Sequence, residues 1–390
     1  MMESIQSIDP SVVSSSGLPG AVFKDPAIFD SECSSLFVDG WVSIACGQQL
    51  KEVGDVHPVN IAGHSLIAVR GADGGIAVFH NVCRHKGAPL VDSPCNKRVL
   101  VCPYHRWAYQ LDGSLRGAPY YNGSSNIPIS DAEKSDKGLL KIRSAVWWDI
   151  VFVNISGQAE AFDSFIAPLE AVLHEYEREN IRPISSTDYD SACNWKLAVD
   201  NFLDGYHVPF VHSQACTADA AIAQEELYLS DNIIGLKLPN GASDKPAKTD
   251  KSLPFFAGLS DASRYRQQWF CIFPNTLFFV DPCWVQTIIV KPQAASQSTE
   301  TLALYVADPA AMDEELASAR HRLHEVLNEV NEQDVELLDK LQITRSSGAA
   351  NSGTLVQAWD RVSATFNTRW LATMSCHEND HQPKNSPGIS

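Results

Sequence analysis

The sequence predicts an α+β protein in which an all-β half precedes a half that mixes helices with antiparallel strands. Three observations point there. Short strand-like runs with Gly-rich turns fill residues 60–155, and helical periodicity sets in near residue 156. Aromatic-rich strands between residues 265 and 307 then lead into a long helical pattern. A chain of 390 residues can hold two domains, each with its own core. The boundaries read from the pattern are an arm and helix at 1–36, an all-β domain at 37–155, a catalytic domain at 156–376 and a disordered tail at 377–390.

Residues 1–20 are rich in Ser, Gly and Pro and read as a loose arm. A short helix follows from residue 26, then a strand around Trp41-Val42-Ser43-Ile44. Leu66–Arg70 and Ile76–Phe79 flank Gly71-Ala72-Asp73-Gly74-Gly75, a hairpin signature. Asp112-Gly113 marks another tight turn. Trp147–Asn154 reads as one apolar strand. Residues 159–180 fit an amphipathic helix through Phe162, Phe165, Ile166, Leu169 and Val172, and residues 195–206 fit a second. Strands are predicted around Phe270–Val280, Trp284–Val290 and residues 301–307, and a long helix over 311–343. Residues 239–264 have the composition of a mobile insertion, a surface loop or a lid over a pocket.

The formal charge of −17 excludes nucleic acid as the main partner and argues against adsorption to anionic membranes. No apolar run approaches the roughly 20 residues of a membrane span, and the first 20 residues lack the features of a secretory leader. A cytoplasmic protein is expected. Its ten cysteines are therefore read as metal ligands or buried thiols and not as a disulfide framework.

Cys83-Arg84-His85 and Cys102-Pro103-Tyr104-His105 each offer one Cys and one His from a turn in a β-rich segment. A Cys₂His₂ zinc finger instead places its histidines together on a helix after both cysteines. One Cys and one His per loop suits a [2Fe–2S] cluster with thiolates on one iron and imidazoles on the other, although structural zinc remains a reading of the spacing alone. Residues 81–110 hold Arg84, Lys86, Lys97, Arg98 and Arg106 against Asp92, a net +4 in an acidic chain. That charge suits docking of an acidic electron donor. Downstream, His207 and His212 lie five apart, about 140° round an unbroken helix. Pro209 between them is expected to end or bend the helix and bring them together. Two His and one carboxylate leave open positions on Fe(II). Glu332, Asp334, Glu336 and Asp339 are the candidate acids.

Asn81–Leu90 and Cys102–Tyr109 resemble the cluster loops of the Rieske non-haem iron oxygenases, with Arg106 where that family usually has Gly. Leu203-Asp204-Gly205-Tyr206-His207-Val208-Pro209 is closest to the choline-monooxygenase-like branch. The resemblance covers about residues 35–345. It implies a Rieske [2Fe–2S] domain joined to a helix-grip catalytic domain, the cluster on Cys83, His85, Cys102 and His105, and iron on His207, His212 and Asp334. It also implies that Asp204 links the iron of one subunit to a cluster histidine of the next, His105 or else His85, in a homotrimer. Such a carboxylate accepts from an imidazole N–H on each side. Asn201 and Tyr206 are secondary candidates.

The activity implied is that of a terminal oxygenase that uses O₂ to hydroxylate a small molecule by monooxygenation. Dihydroxylation and demethylation are the alternatives. Electrons would come from NAD(P)H through a separate ferredoxin or flavin reductase, since the chain has no Gly-x-Gly-x-x-Gly loop. Trp269, Phe270, Phe273, Phe278, Phe279 and Trp284 could hold a quaternary amine by cation–π attraction, line a pocket for a natural-product intermediate or aromatic acid, or be sheet core. Two other classes stay open at this point: an electron-transfer protein without a working iron site, and a zinc-stabilised binding module.

Overall fold

Asp9 and Asp25 each cap a helix whose first residue is proline, a combination that satisfies a free N–H and presets φ. The computed structural model describes residue 5 and residues 8–212, 224–238, 253–350 and 353–381. Helices α1 (Pro10–Ser16), α2 (Pro26–Ser34) and α3 (Leu36–Asp39) open the chain. From residue 8 on, the segment expected to be a loose arm is ordered. Val13 of α1 is fully buried in the main core, which the C-terminal helix also joins.

The all-β part is built from β1 (Val42–Cys46), β2 (Asp55–Ile61), β3 (His64–Arg70), β4 (Ile76–His80), β5 (Cys95–Asn96), β6 (Leu100–Val101), β7 (Ala108–Tyr109), β8 (Leu115–Gly117), β9 (Lys141–Trp147) and β10 (Ile150–Asn154), with a single helical turn, α4 (Asp131–Lys134). Strands β6, β7 and β8 form a small separate sheet beside the larger one. The single apolar strand predicted over 147–154 is a hairpin. Trp148 and Asp149 both take positive φ, at 48° and 62°, and reverse the chain between β9 and β10. At the predicted Asp112-Gly113 turn, Gly113 has φ 85°, and a Cβ there would lie 2.4 Å from the Phe79 ring.

The second half adds α5 (Phe162–Val172), β11 (Arg182–Ser191), α6 (Trp195–Leu203), α7 (Val208–Val211), β12 (Glu225–Ser230), β13 (Ile233–Lys237), β14 (Gln268–Ile272), β15 (Thr276–Val280), β16 (Trp284–Ala294), β17 (Gln297–Val306), α8 (Ala317–Arg345) and α9 (Arg361–His381). Its seven strands pair antiparallel in the order β11-β17-β16-β15-β14-β13-β12. Helix α5 is shorter than its pattern suggested, and the helix predicted over 195–206 stops at Leu203. The tail predicted to be disordered from 377 is helical to His381, and residues 382–390 lie outside the described residues. Residues 239–252 of the predicted insertion also lie outside them. Of its remainder, Leu253, Phe256 and Leu259 are buried.

Sheet parity sorts the aromatic candidates. Phe270 and Phe278 face the β-rich domain, where Trp147 and Trp148 pack on Phe278 at 5.0 and 5.3 Å between centroids. Phe273 meets Phe366 of α9. Trp269, Phe279 and Trp284 lie on the opposite face with Phe202 of α6 and Leu323 and Leu327 of α8. The domain seam is also polar: Asn275 accepts from the Ser43 amide at 3.1 Å and donates to the Ser43 carbonyl at 2.9 Å.

One buried carboxylate ties three helices together. Glu32 on α2 accepts from Lys196 Nζ at 2.6 Å and Trp195 Nε1 at 2.9 Å on α6, and from Trp370 Nε1 at 2.7 Å on α9. Lys196 and Glu32 are 1% and 0% exposed. Glu32→Ala leaves a buried ammonium and two indole N–H groups without their acceptor. The expected loss is about 3–5 kcal/mol in chemical denaturation, and a loss under about 1 kcal/mol would show that the network does not tie α6 down.

Candidate metal centres

The two Cys–His loops meet at one tip of the β-rich domain. Each is closed by its own backbone: Cys83 N–H donates to Ala88 O and Gly87 N–H to Cys83 O, while Cys102 N–H donates to Trp107 O and Arg106 N–H to Cys102 O. Both cysteines are buried, at 2% and 1% exposure. The His85 and His105 rings lie 4.5 Å apart, edge to face, and Trp107 stacks on His85 at 5.1 Å. Tyr109 OH lies 3.3 Å from Cys83 Sγ and accepts the Arg84 amide at 3.0 Å. Burial, before any other cause, pushes the Cys83 thiol up, so a bare pocket favours the thiol and a bound cation is needed to hold the thiolate. His105 Nδ1 is buried without a hydrogen-bond partner. Two buried thiols facing two imidazoles, one with an orphaned ring nitrogen, fit a cluster held by all four residues.

At the second centre α6 ends at Leu203 because Asp204 turns extended, with φ −89° and ψ 99°. Its Oδ1 accepts the Tyr206 amide at 2.7 Å and stabilises the turn. The chain restarts as α7 with Pro209 in its first turn. Pro209 therefore begins a helical turn instead of ending one, and the break falls earlier, at Asp204-Gly205. His207 and His212 flank α7 with rings 5.3 Å apart. Their Nε2 atoms lie 3.4 and 2.9 Å from the same Asp334 Oδ1 on α8. One ligand atom from each of the three residues falls within 4.8 Å of the others.

The other ring nitrogens are held from behind, by Asp204 Oδ2 at 3.3 Å from His207 Nδ1 and by Gln333 Oε1 at 2.8 Å from His212 Nδ1. An oxygen acceptor at Nδ1 places the proton there and leaves Nε2 free to ligate. Burial opposes charge at His207, yet hydrogen bonds to Asp204 and Asp334 take its pKa up to about 9. Burial likewise works against the Asp334 carboxylate, but the two histidines hold it at about 2. Two imidazoles and a carboxylate at this spacing form an N₂O donor set that fits a divalent transition metal, which would displace the proton that His207 shares with Asp334.

The other candidate acids face elsewhere. Glu336 pairs with Lys340 on the exposed side of α8, Glu332 is exposed, and Asp339 accepts Ser191 Oγ and the Ala192 amide. Asp204 is 30% exposed, so its carboxylate borders both the buried His207 and the surface. Tyr206 stacks on Trp359 at 4.8 Å, and Asn201 supplies the carbonyl that accepts the Asp204 amide. Sequence reasoning missed Gln333, whose neighbour Asp334 drew attention away from it, and Glu300 on β17. Burial raises Glu300 to about 7 against the hydrogen bond from Asn331, with the charges of Asp334 and Asp339 adding. No periodicity distinguishes that residue from its strand.

Tyr109→Phe removes a hydrogen bond to the Cys83 sulfur, which stabilises added negative charge. Taking about 1 kcal/mol for one such bond and about 59 mV per 1.4 kcal/mol for one electron, the cluster midpoint should fall by about 40 mV in a redox titration; an unchanged midpoint would separate the hydroxyl from the sulfur's electronics. Asp334→Ala should lose the mononuclear metal and keep the cluster absorption, and full retention of all iron would move the ligand to another acid.

The family comparison agrees with the two-centre geometry. The Rieske [2Fe-2S] domain model matches residues 40–128, and the model of the ring hydroxylating alpha subunit (catalytic domain) matches residues 178–375, half of the chain. The glycine betaine monooxygenase oxygenase subunit of Chromohalobacter salexigens is 32% identical over 198 residues, 50% of this chain and 43% of that one. The chloroplastic choline monooxygenase of Arabidopsis thaliana is 26% identical over 348 residues, 86% and 78% of the two chains. The chain thus spans less than half the length of the glycine betaine relative and about four fifths of the choline one. Among solved structures, a quaternary ammonium Rieske monooxygenase superposes with a TM-score of 0.75 at 20% identity, covering 94% of this chain and 99% of that one. Naphthalene 1,2-dioxygenase from Rhodococcus sp. superposes at 0.73 with 19% identity over 92% and 94%. At such identities the likeness shows the fold. The chain belongs to the ring hydroxylating alpha subunit family of Rieske oxygenases, near its choline monooxygenase branch.

Proposed function

We propose that this chain is a terminal oxygenase component that monooxygenates a small organic molecule, with O₂ as oxidant and electrons drawn from NAD(P)H through a separate ferredoxin or flavin reductase. The observation that carries the reading is the presence on one chain of both donor sets: Cys83, His85, Cys102 and His105 at one, His207, His212 and Asp334 at the other. A bound Rieske cluster supplies one-electron transfer, and a bound Fe(II) supplies dioxygen activation. A pure electron-transfer protein has no use for the second set.

The roles of the chain's own groups follow from their surroundings. Asp204 and Gln333 fix the proton on Nδ1 of His207 and His212, so that each imidazole presents Nε2 to the metal. The exposed side of Asp204 accepts from a cluster histidine of the neighbouring subunit, His105 by preference, in a head-to-tail trimer. Arg84, Lys86, Lys97 and Arg98 form the docking ground for the acidic donor. On the sheet face beneath α8, Trp269 meets Phe279 edge to face at 4.7 Å and Phe279 stacks on Trp284 at 4.6 Å. These rings form the packed floor under α8, and the quaternary amines named for the relatives favour a small quaternary amine as substrate. Among the described residues no helix is long and apolar enough to cross a membrane, and the reading requires no membrane.

The test is metal and sulfide analysis of the holoprotein followed by turnover. About three irons and two acid-labile sulfides per chain are expected, with a product one oxygen heavier, or its demethylated breakdown product, from a quaternary-amine panel supplied with O₂ and a surrogate reductase. Zinc without sulfide would replace the proposal with a structural module. Two irons per chain and no product from any substrate would leave electron transfer alone.

A further inference from the structure

Arg106 stands between the cluster candidates His105 and Trp107 in left-handed backbone, φ 61°, where a side chain is disfavoured. Its side chain is exposed at the tip of the β-rich domain, beside Tyr104, which is 62% exposed and lies 3.8 Å from His105 between ring centroids. Arg84 and Lys86 are exposed on the first cluster loop, and Lys97 and Arg98 on the turn between β5 and β6. This cationic tip is out of keeping with a chain of −17.

The mouth beside the mononuclear centre has the opposite character. Asp204 and Asp360 repel one another, as do Asp200 and both of them, with Ser363 and the charge of Arg345 offsetting part of this at Asp200, whose Oδ1 is buried with no hydrogen-bond partner. Among the described residues no arginine or lysine forms an ion pair with Asp204 or Asp360; Arg361 pairs with Glu226 instead. Beside these acids the stacked Tyr206 and Trp359 and the 69%-exposed Phe210 form an aromatic shelf. Carboxylates next to an open aromatic face suit a planar guanidinium better than an ammonium, because a guanidinium can pair and stack at once.

We propose that Arg106 of one copy of this chain enters the mouth formed by Asp204, Asp360, Tyr206 and Phe210 of the next copy and acts as a positioning residue for electron transfer between them. This rests on the head-to-tail reading above and adds a chain-specific contact to it. The occupant is a second copy because the two complementary surfaces lie on the same polypeptide, each beside one metal centre. Arg106 is next in sequence to His105, so seating its guanidinium against Asp360 brings His105 towards Asp204. The side chain thereby offsets its own backbone cost.

The experiment uses holoenzyme with the cluster reduced by dithionite and then mixed with substrate and oxygen, which bypasses the reductase. Cluster reoxidation and product are followed in one turnover, normalised to cluster content. Arg106→Gly, which relieves the backbone, is expected to slow reoxidation about tenfold, and Arg106→Glu or Asp360→Arg more, with the slowing reduced as salt rises. Arg106→Glu combined with Asp360→Arg should recover most of the rate. Unchanged single-turnover rates in Arg106→Glu would overturn the proposal. So would slowing seen only in reductase-driven assays, which would make Arg106 a donor contact. Sedimentation of the wild type separates the two levels. A fully active monomer sinks the head-to-tail reading itself, while an intact oligomer indifferent to Arg106 sinks only this contact.

Discussion

A single carboxylate oxygen, Asp334 Oδ1, has to meet two imidazole nitrogens that come from opposite ends of a four-residue helix. Nearly everything around the second centre serves that meeting. An unbroken helix would hold the histidines apart, so the chain breaks at Asp204-Gly205 and restarts at Val208, with Pro209 in the first turn. The break is stabilised locally, by the Asp204 side chain on the Tyr206 amide. Helix α8 in turn is set along the sheet edge by Asp339, which accepts from Ser191 and Ala192, and by Gln342, which accepts the Asn194 amide at the start of α6. The elements that supply the two histidines and the carboxylate are thus keyed to one another away from the ligands, through residues beyond Asp334 on α8 and before His207 on α6, and Glu32 fixes α6 from its other side.

The two centres are built differently. At the cluster loops the cysteines are buried and the histidines lie nearer the surface, so the imidazole edges form the outlet towards solvent or a neighbour. At the mononuclear centre the histidines are 13% and 3% exposed, and the carboxylate Asp204 stands at the rim. One centre exposes its imidazoles and the other a carboxylate. That polarity is what a relay between copies needs, and it follows from which residue of each motif is buried.

The candidate ligand sets were legible in the sequence because each is a short motif whose residue types have few other uses together. Composition could not select Asp334 among four acids on one helix. The resemblance did, and the helix face explains it: Glu332 and Glu336 point to solvent, and Asp339 is spent on β11. Helix α9 was missed although Val362, Phe366, Trp370 and Met374 recur every four residues and are all buried. The signal was there. Strand β11 carried little signal, because this edge strand of mostly intermediate and exposed residues is dominated by Ser, Thr and Asp, with only Ile184 and Tyr189 apolar. Gln333 and Glu300 act through tertiary neighbours and leave no trace in spacing.

The most direct test of two metal centres on one chain is anomalous diffraction at the iron edge from crystals of holoprotein. A close pair of peaks is expected among Cys83, His85, Cys102 and His105, and one separate peak among His207, His212 and Asp334. Full cluster density with no peak at the second position, or iron there bound by other side chains, would contradict it.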